Sequence, residues 1–339
     1  MQIALDAMGG DHGPEELIDG ALLAVKQTGL QVTLVGNQQV LQAHLDRLRP
    51  GDPGLSRVHI VHASEVVEMD ESPVDAIRKK KDASVLVAFD LVRQGQADAA
   101  VSAGNSGATM AAAVRKLGRM EHVSRPGIAS IFPTLKKPVV MMDVGANVDC
   151  RPQHLFQFAV MASAFSHIFD IERPRIGILS IGEEVGKGNT LVKETYVRLA
   201  ASSLNFVGNV EGRDVFQGNV DVIVCDGFVG NICLKLSEGL AGAAMQMLKD
   251  EIMKSTLAKI GYLLARPAFR AFAKRVDYAE YGGAPLLGIN GVGIICHGKS
   301  SAEAIKNAIL EAAKMVEKQV TEKIAIGLAE SVQDEEAVV

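Results

Sequence analysis

Short runs of β-branched and aliphatic residues alternate with longer stretches of helical periodicity along nearly the whole chain. That alternation narrows the fold to an α/β class, a mostly parallel sheet with helices packed on its faces. The apolar runs fall at 2–6, 32–36, 58–62, 98–102, 128–132, 138–142, 175–180, 221–225 and 292–296. Helical patterns fall at 14–28, 38–48, 73–94, 105–117, 153–169, 189–202, 228–253 and 301–327. With 339 residues, 48% of them hydrophobic, the chain can bury a large core. Residues 1–330 are therefore expected to form a single α/β unit, with room for two lobes, and 331–339 an acidic flexible tail. No internal repeat is visible.

A formal net charge of −5 and a pI near 5.9 argue against a general nucleic-acid binder, which needs an extensive basic surplus. Cys150, Cys225, Cys233 and Cys296 form no C-x-x-C pair, which fits a reducing compartment and small buried side chains. The N-terminus has no basic segment followed by a long apolar one, and no run reaches the ~18 apolar residues of a membrane-spanning helix. The expectation is a cytoplasmic protein, or one that rests against a membrane without crossing it.

In open α/β sheets, ligands bind beyond the carboxyl ends of the strands, where helix N-termini present unpaired N–H groups. Four loops fit that position. Asp6–Pro14 holds Gly10 and His12 in a glycine-rich turn, either an anion approach or a tight surface turn. Ser102–Thr109 places Gly104, Asn105, Ser106 and Gly107 at a helix start, which suits a tetrahedral oxyanion, although capping alone would use Asn105 or Ser106. Ser180–Thr190 sets Lys187 between glycines ahead of Asn189, as a phosphate-neutralising cation or a solvated lysine. Asp226–Asn231 offers Asp226 as base, orienter or helix cap, and Asn231 as an oxyanion donor.

Gly293 to Ser300 matches the P-loop pattern literally, but its interior reads as an apolar strand and is rejected as an anion cradle; His297–Ser300 can still face the same crevice. Neither a metal-ligand spacing nor a G-x-S-x-G elbow occurs. From Lys254 to Arg275 the chain carries six basic residues and no acid: Lys254, Lys259, Arg266, Arg270, Lys274 and Arg275. Tyr262, Leu263, Leu264, Phe269 and Phe272 interleave with them, and Pro267 is expected to divide the segment into two short helices. This basic amphipathic hairpin suits a membrane surface, an acidic protein or a dimer contact. The run Arg78, Lys79, Lys80 and Lys81 is a second basic island, or a solvated helix face.

Leu5–Asp11, Ser72-Pro73 with Ala76–Arg78 and Lys80-Lys81, Ser102–Ala108, Asp143–Asn147 and Cys225–Asn231, in that order, closely resemble the bacterial phosphate acyltransferase family of phospholipid synthesis. The resemblance runs from Met1 to about Ala329. It implies a three-layer α/β/α fold of the isocitrate/isopropylmalate dehydrogenase type shared with phosphotransacetylases. It also implies transfer of a long fatty acyl group from acyl carrier protein to inorganic phosphate, giving acyl phosphate for glycerophospholipid synthesis. Further implications are a homodimer, peripheral contact with the inner leaflet of the membrane and with the downstream glycerol-phosphate acyltransferase, and no metal, nicotinamide or other cofactor. On this reading phosphate lies against the Gly104–Gly107 amides and Lys187, Asn231 or Asn105 serves the oxyanion, and Asp226 or His12 handles protons. The 254–275 hairpin or Lys80-Lys81 would meet the carrier or the membrane. Competing readings are a short-chain phosphotransacetylase acting on acyl-CoA, an NAD-linked hydroxyacid dehydrogenase, and a non-catalytic membrane-recruited scaffold.

Overall fold

The structure, a computed structural model, describes residues 1–11, 13–47, 54–276 and 282–337, with the side chains of Lys274, Val276 and 332–337 outside the description. Among the described residues, eleven strands form one sheet in the order β3-β2-β1-β4-β11-β10-β5-β6-β9-β7-β8. The strands are β1 (Gln2–Asp6), β2 (Gln31–Gly36), β3 (Val58–His62), β4 (Ala99–Ser102), β5 (Gly127–Phe132), β6 (Val139–Met142), β7 (Ile176–Leu179), β8 (Phe206–Val210), β9 (Val222–Val224), β10 (Ala284–Leu287) and β11 (Val292–Ile295). Neighbours pair in parallel except β10 with β11, β10 with β5, and β5 with β6. Two parallel half-sheets therefore run in opposite directions and meet at the antiparallel centre.

All nine apolar runs are strands. β8 and β10 carry weaker signals. Gly208, at φ +109°, and Asn209 interrupt the apolar pattern of β8. Pro285 sits inside β10, a central strand, where the missing N–H usually argues against such a place.

The helices are α1 (Pro14–Thr28), α2 (Gln38–Leu45), α3 (Pro73–Lys79), α4 (Ser84–Arg93), α5 (Ser106–Leu117), α6 (Pro152–Phe165), α7 (Thr190–Ala200), α8 (Gly227–Lys254), α9 (Thr256–Val276), α10 (Ala302–Glu317) and α11 (Val320–Ala337). Two expectations need correction, the single helix over 73–94 and the break at Pro267. The 73–94 pattern splits because the Lys80 ammonium turns inward to the Val66 carbonyl and the Glu71 carboxylate, both at hydrogen-bonding distance. The backbone of residues 331–337 continues α11. Pro267 lies inside an unbroken α9, where its unpaired i−4 carbonyl can be solvated because the surrounding helix is largely exposed. The hairpin is consequently longer than 254–275, with the full length of α8 as its first arm. No helix among the described residues is long and apolar enough to cross a membrane.

The two sheet faces differ. On one, Ile3, Leu5, Val140 and Met142 belong to a single continuous core under α1, α10, α6 and α11. There Gly20 lets α1 press onto α10, since a Cβ at that position would come within 2.6 Å of Ile305. On the other face the core is divided: one cluster lies under α4 and α5, and another joins β6, β7 and β9 to the start of α8. Ile128 of β5 touches both clusters, and a cleft opens between them.

Candidate active site

The cleft holds about 470 Å³ over Ile128 and Ser130 of β5 and Ala284 of β10. Three helix starts converge on it. Ser106 opens α5, Ser301 caps α10, and Asn231 lies in the first turns of α8. Helix N-termini carry about half a positive charge each, with donors facing outward. Lys235 and Lys299 add two ammonium groups, and the acid lining the cleft, Glu238, is paired with Lys235 at 3.1 Å. The pairing leaves a net positive cavity rich in donors, suited to an anion. His297 also lines it, with Nδ1 accepting from the Lys299 amide at 3.1 Å; a neutral ring then carries its proton on Nε2.

Behind the lining, two strand-end aspartates fix the loops. Asp6 is buried and accepts from the Ser102 hydroxyl at 2.8 Å and the Met8 amide at 3.3 Å. Asp143 is fully buried and accepts from the amides of Ile128, Ala146 and Asn147 and from the Asn147 side chain, at 2.7–3.1 Å. Burial raises both carboxyl pKa values from the ordinary range, and these hydrogen bonds act against the rise. Two glycines make the approach of α8 possible: a Cβ on Gly230 would fall 1.9 Å from the Asp143 carbonyl, and one on Gly227 would fall 2.7 Å from that of Asn147.

Of the residues singled out in the sequence, the cleft collects Ser106 and Asn231, together with His297, Lys299 and Ser300 of the loop after β11. Others serve the frame. Asn105 caps α5 by accepting from Ala108, and its amide donates to the Met69 and Glu71 carbonyls. The Gly104 amide donates to the Ser102 hydroxyl, and Gly107 has no Cβ because Pro73 packs where it would stand, at 2.8 Å. Gly10, with φ +101°, sits against the Gly298 carbonyl, and Asp11 donates to that carbonyl at 2.7 Å, tying the first loop to the last. Asp226 caps α8 through Val229. Lys187 and Asn189 are not among the residues lining the cleft, because β9 separates β7 from β6; Lys187 is exposed and Asn189 caps α7. His12 lies outside the described residues.

The docking residues divide as well. Lys80 is held by Glu71, whereas Lys81 is exposed. Arg275 ties α9 to the body through the carbonyls of Thr134 and Leu135, at 3.1 and 3.0 Å. Leu263, Leu264 and Arg266 stand exposed on α9, while Lys259, Phe269 and Arg270 line a groove against α8. The Lys274 side chain lies outside the description.

Sequence reading overlooked Lys235, Glu238 and Ser130. The first two repeat at i+4 and i+7 from Asn231, so one helix face could have shown them. Ser130 is a lone hydroxyl in an apolar strand. The P-loop-like segment is indeed strand β11, and its following loop does reach the cleft. All four cysteines are free, and burial raises their thiol pKa values, Cys150 to about 11, so none is an activated nucleophile. Among the described residues no cluster of potential metal ligands is present.

The fold is that of a phosphotransacetylase from Streptococcus pyogenes, with a TM-score of 0.62 at 20% identity over 94% of each chain. A 4-hydroxythreonine-4-phosphate dehydrogenase from Klebsiella pneumoniae is also similar in fold, with a TM-score of 0.55 at 17% identity, covering 93% of this chain and 99% of that one. The sequence matches the family described as "Fatty acid synthesis protein" over residues 1–323. It is 56% identical over 324 residues to the phosphate acyltransferase of Nitratidesulfovibrio vulgaris (strain DP4), covering 95% of this chain and 93% of the relative. It is 55% identical over 325 residues to that of Pelotomaculum thermopropionicum, covering 96% and 94%. With that identity spread over nearly the whole length of both proteins, the chain belongs to the phosphate acyltransferase family.

Proposed function

We propose that this enzyme moves a long fatty acyl group from the thioester of acyl carrier protein to inorganic phosphate in the cleft between α5, α8 and α10. The observation that carries the reading is the convergence of three helix N-termini with Lys235 and Lys299 on one cavity that offers no activated nucleophile. Phosphate supplies its own nucleophilic oxygen. Held against the start of α5 and Lys299, it attacks the thioester carbonyl carbon, and the oxyanion that forms accepts a hydrogen bond from Asn231. Collapse breaks the C–S bond, and the proton of the attacking hydrogen phosphate passes to the leaving sulfur, with His297 in the cleft to relay it. Positioning of this kind is worth ~7–11 kcal/mol and one oxyanion donor ~2.7–4 kcal/mol. The product, an acyl phosphate, is an activated donor for an enzyme that acylates glycerol phosphate.

The same reading includes a homodimer and a peripheral membrane contact. Leu236, Leu240 and Met247 form one exposed apolar stripe on α8, at 68%, 66% and 68% exposure, which a second copy would cover. Leu257 and Leu264, each 80% exposed, stand on α9 amid the basic residues and would meet lipid.

The test is to mix the protein with palmitoyl-carrier protein and phosphate and trap acyl phosphate with hydroxylamine. Phosphate-dependent product is expected. Product from acetyl-CoA alone would move the reading to a short-chain phosphotransacetylase, and no product from either would leave the scaffold. Within the active enzyme, Asn231→Ala should lower kcat about 10²–10³-fold, whereas Lys299→Ala should act mainly on the KM for phosphate.

A further inference from the structure

Between α8 and α9 lies a second cavity, a groove of about 430 Å³. Its floor is apolar, built from Met245, Ile252 and the ring pair Tyr262 and Phe269, tilted at 45° with centroids 5.1 Å apart. Lys249, Lys259 and Arg270 line it too, without an acid among its lining residues and without an ion pair from any of the three among the described residues. An apolar trough edged by cations fits an amphiphile with a long hydrocarbon chain and an anionic head.

The position of this groove identifies its occupant. Asn231, Leu234, Lys235 and Glu238 line the catalytic cleft; Gly242, Met245, Lys249 and Ile252 line the groove. These positions recur every three or four residues and so share one face of a single continuous helix. Only one turn separates Glu238 from Gly242, about 6 Å along the axis, and the face from Glu238 to Met253 extends about 22 Å. Gly242 has no side chain at that junction and nothing within 4 Å of where a Cβ would stand, leaving the passage open. The exposed stripe of Leu236, Leu240 and Met247 lies on the opposite side of the same helix, so a second copy seated there would leave the groove free.

The geometry points to the α8–α9 groove as the acyl-chain site of the enzyme. The reacting carbonyl sits in the cleft beside Asn231, the chain crosses Gly242, and its distal half lies on Met245, Ile252 and Phe269. This inference rests on the reading of a long-chain acyl thioester as substrate. It makes chain-length preference a property of the hairpin rather than of the cleft.

Groove and cleft can be tested separately. Met245→Trp, which fills the groove, should lower the ratio of kcat/KM for a sixteen-carbon carrier thioester over a six-carbon one by about tenfold. Hexadecyl phosphate below its micelle-forming concentration should bind the native protein in a calorimeter, more weakly after Met245→Trp, and more tightly than butyl phosphate. An unchanged ratio together with unchanged hexadecyl phosphate binding would overturn the assignment. So would an equal loss with both thioesters accompanied by a change from dimer to monomer in light scattering, because the groove would then belong to the second copy. If the native protein makes acyl phosphate from neither thioester, the transferase reading fails, and the hexadecyl phosphate titration alone decides the groove.

Discussion

Glu311 of α10 is buried, and neither carboxylate oxygen has a hydrogen-bond partner. Burial pushes its pKa well above the ordinary carboxylate range, with the Lys314 charge opposing the shift. The folded protein therefore keeps a proton that the unfolded chain releases. Its contribution is most favourable below the unfolded pKa and is lost as pH rises toward the folded one. Glu311→Gln should accordingly be close to neutral near pH 4 and stabilise by about 1–3 kcal/mol near pH 8. Thermal melts at both pH values check this, and a pH-independent difference would refute it. Gly230→Ala tests the opposite kind of tightness. With the Asp143 carbonyl 1.9 Å from the new Cβ, a loss of about 3 kcal/mol or more is expected. Ser106 and Asn231 were legible because helix-start chemistry is local. The place of Lys187 away from the cleft was not legible, because a glycine-flanked lysine carries no sign that β9 stands between its strand and the cleft.

Elements were more legible than their boundaries. Each apolar run became a strand, most of them because a strand buried on both faces must be apolar throughout; the edge strand β3 carries His59 and His62 and is only partly buried. β8 and β10 escaped because Gly208, Asn209 and Pro285 mimic loop chemistry, and their pairing is set by neighbours distant in sequence. α9 shows why a proline is a weak stop signal on an exposed helix. Restoring the missing donor with Pro267→Ala should favour the helix by up to about 3 kcal/mol locally. Slower amide exchange on either side of residue 267 is the expected readout, with little change in the global melting temperature. Faster or unchanged exchange there would mean that the helix is held from outside.

At the scale of the molecule, the hairpin carries apolar surface on two sides. If the proposed homodimer forms through the α8 stripe, Leu236→Asp together with Leu240→Asp should lower the mass in light scattering to that of a monomer at fixed concentration. Leu257→Gln with Leu264→Gln should reduce sedimentation with anionic vesicles while leaving the mass in solution unchanged. On the proposed membrane contact, inserting each leucine contributes up to ~1.5–3 kcal/mol, so losing both should abolish most of any vesicle binding. If either pair changes the other readout instead, the two faces have been exchanged.

The antiparallel centre of the sheet also governs how the chain is made. β10 and β11 come from residues 284–295, yet they separate β4 from β5. On the ribosome, the first nine strands emerge as two half-sheets with bare edges at Ala99–Ser102 and Gly127–Phe132, and nothing can join them until translation has passed Ile295. Unpaired edges of this kind template intermolecular pairing. A nascent chain stalled before Ala284 is thus a pair of open sheets rather than a shortened enzyme, and the interval before residues 284–295 emerge is the one most exposed to pairing with other chains.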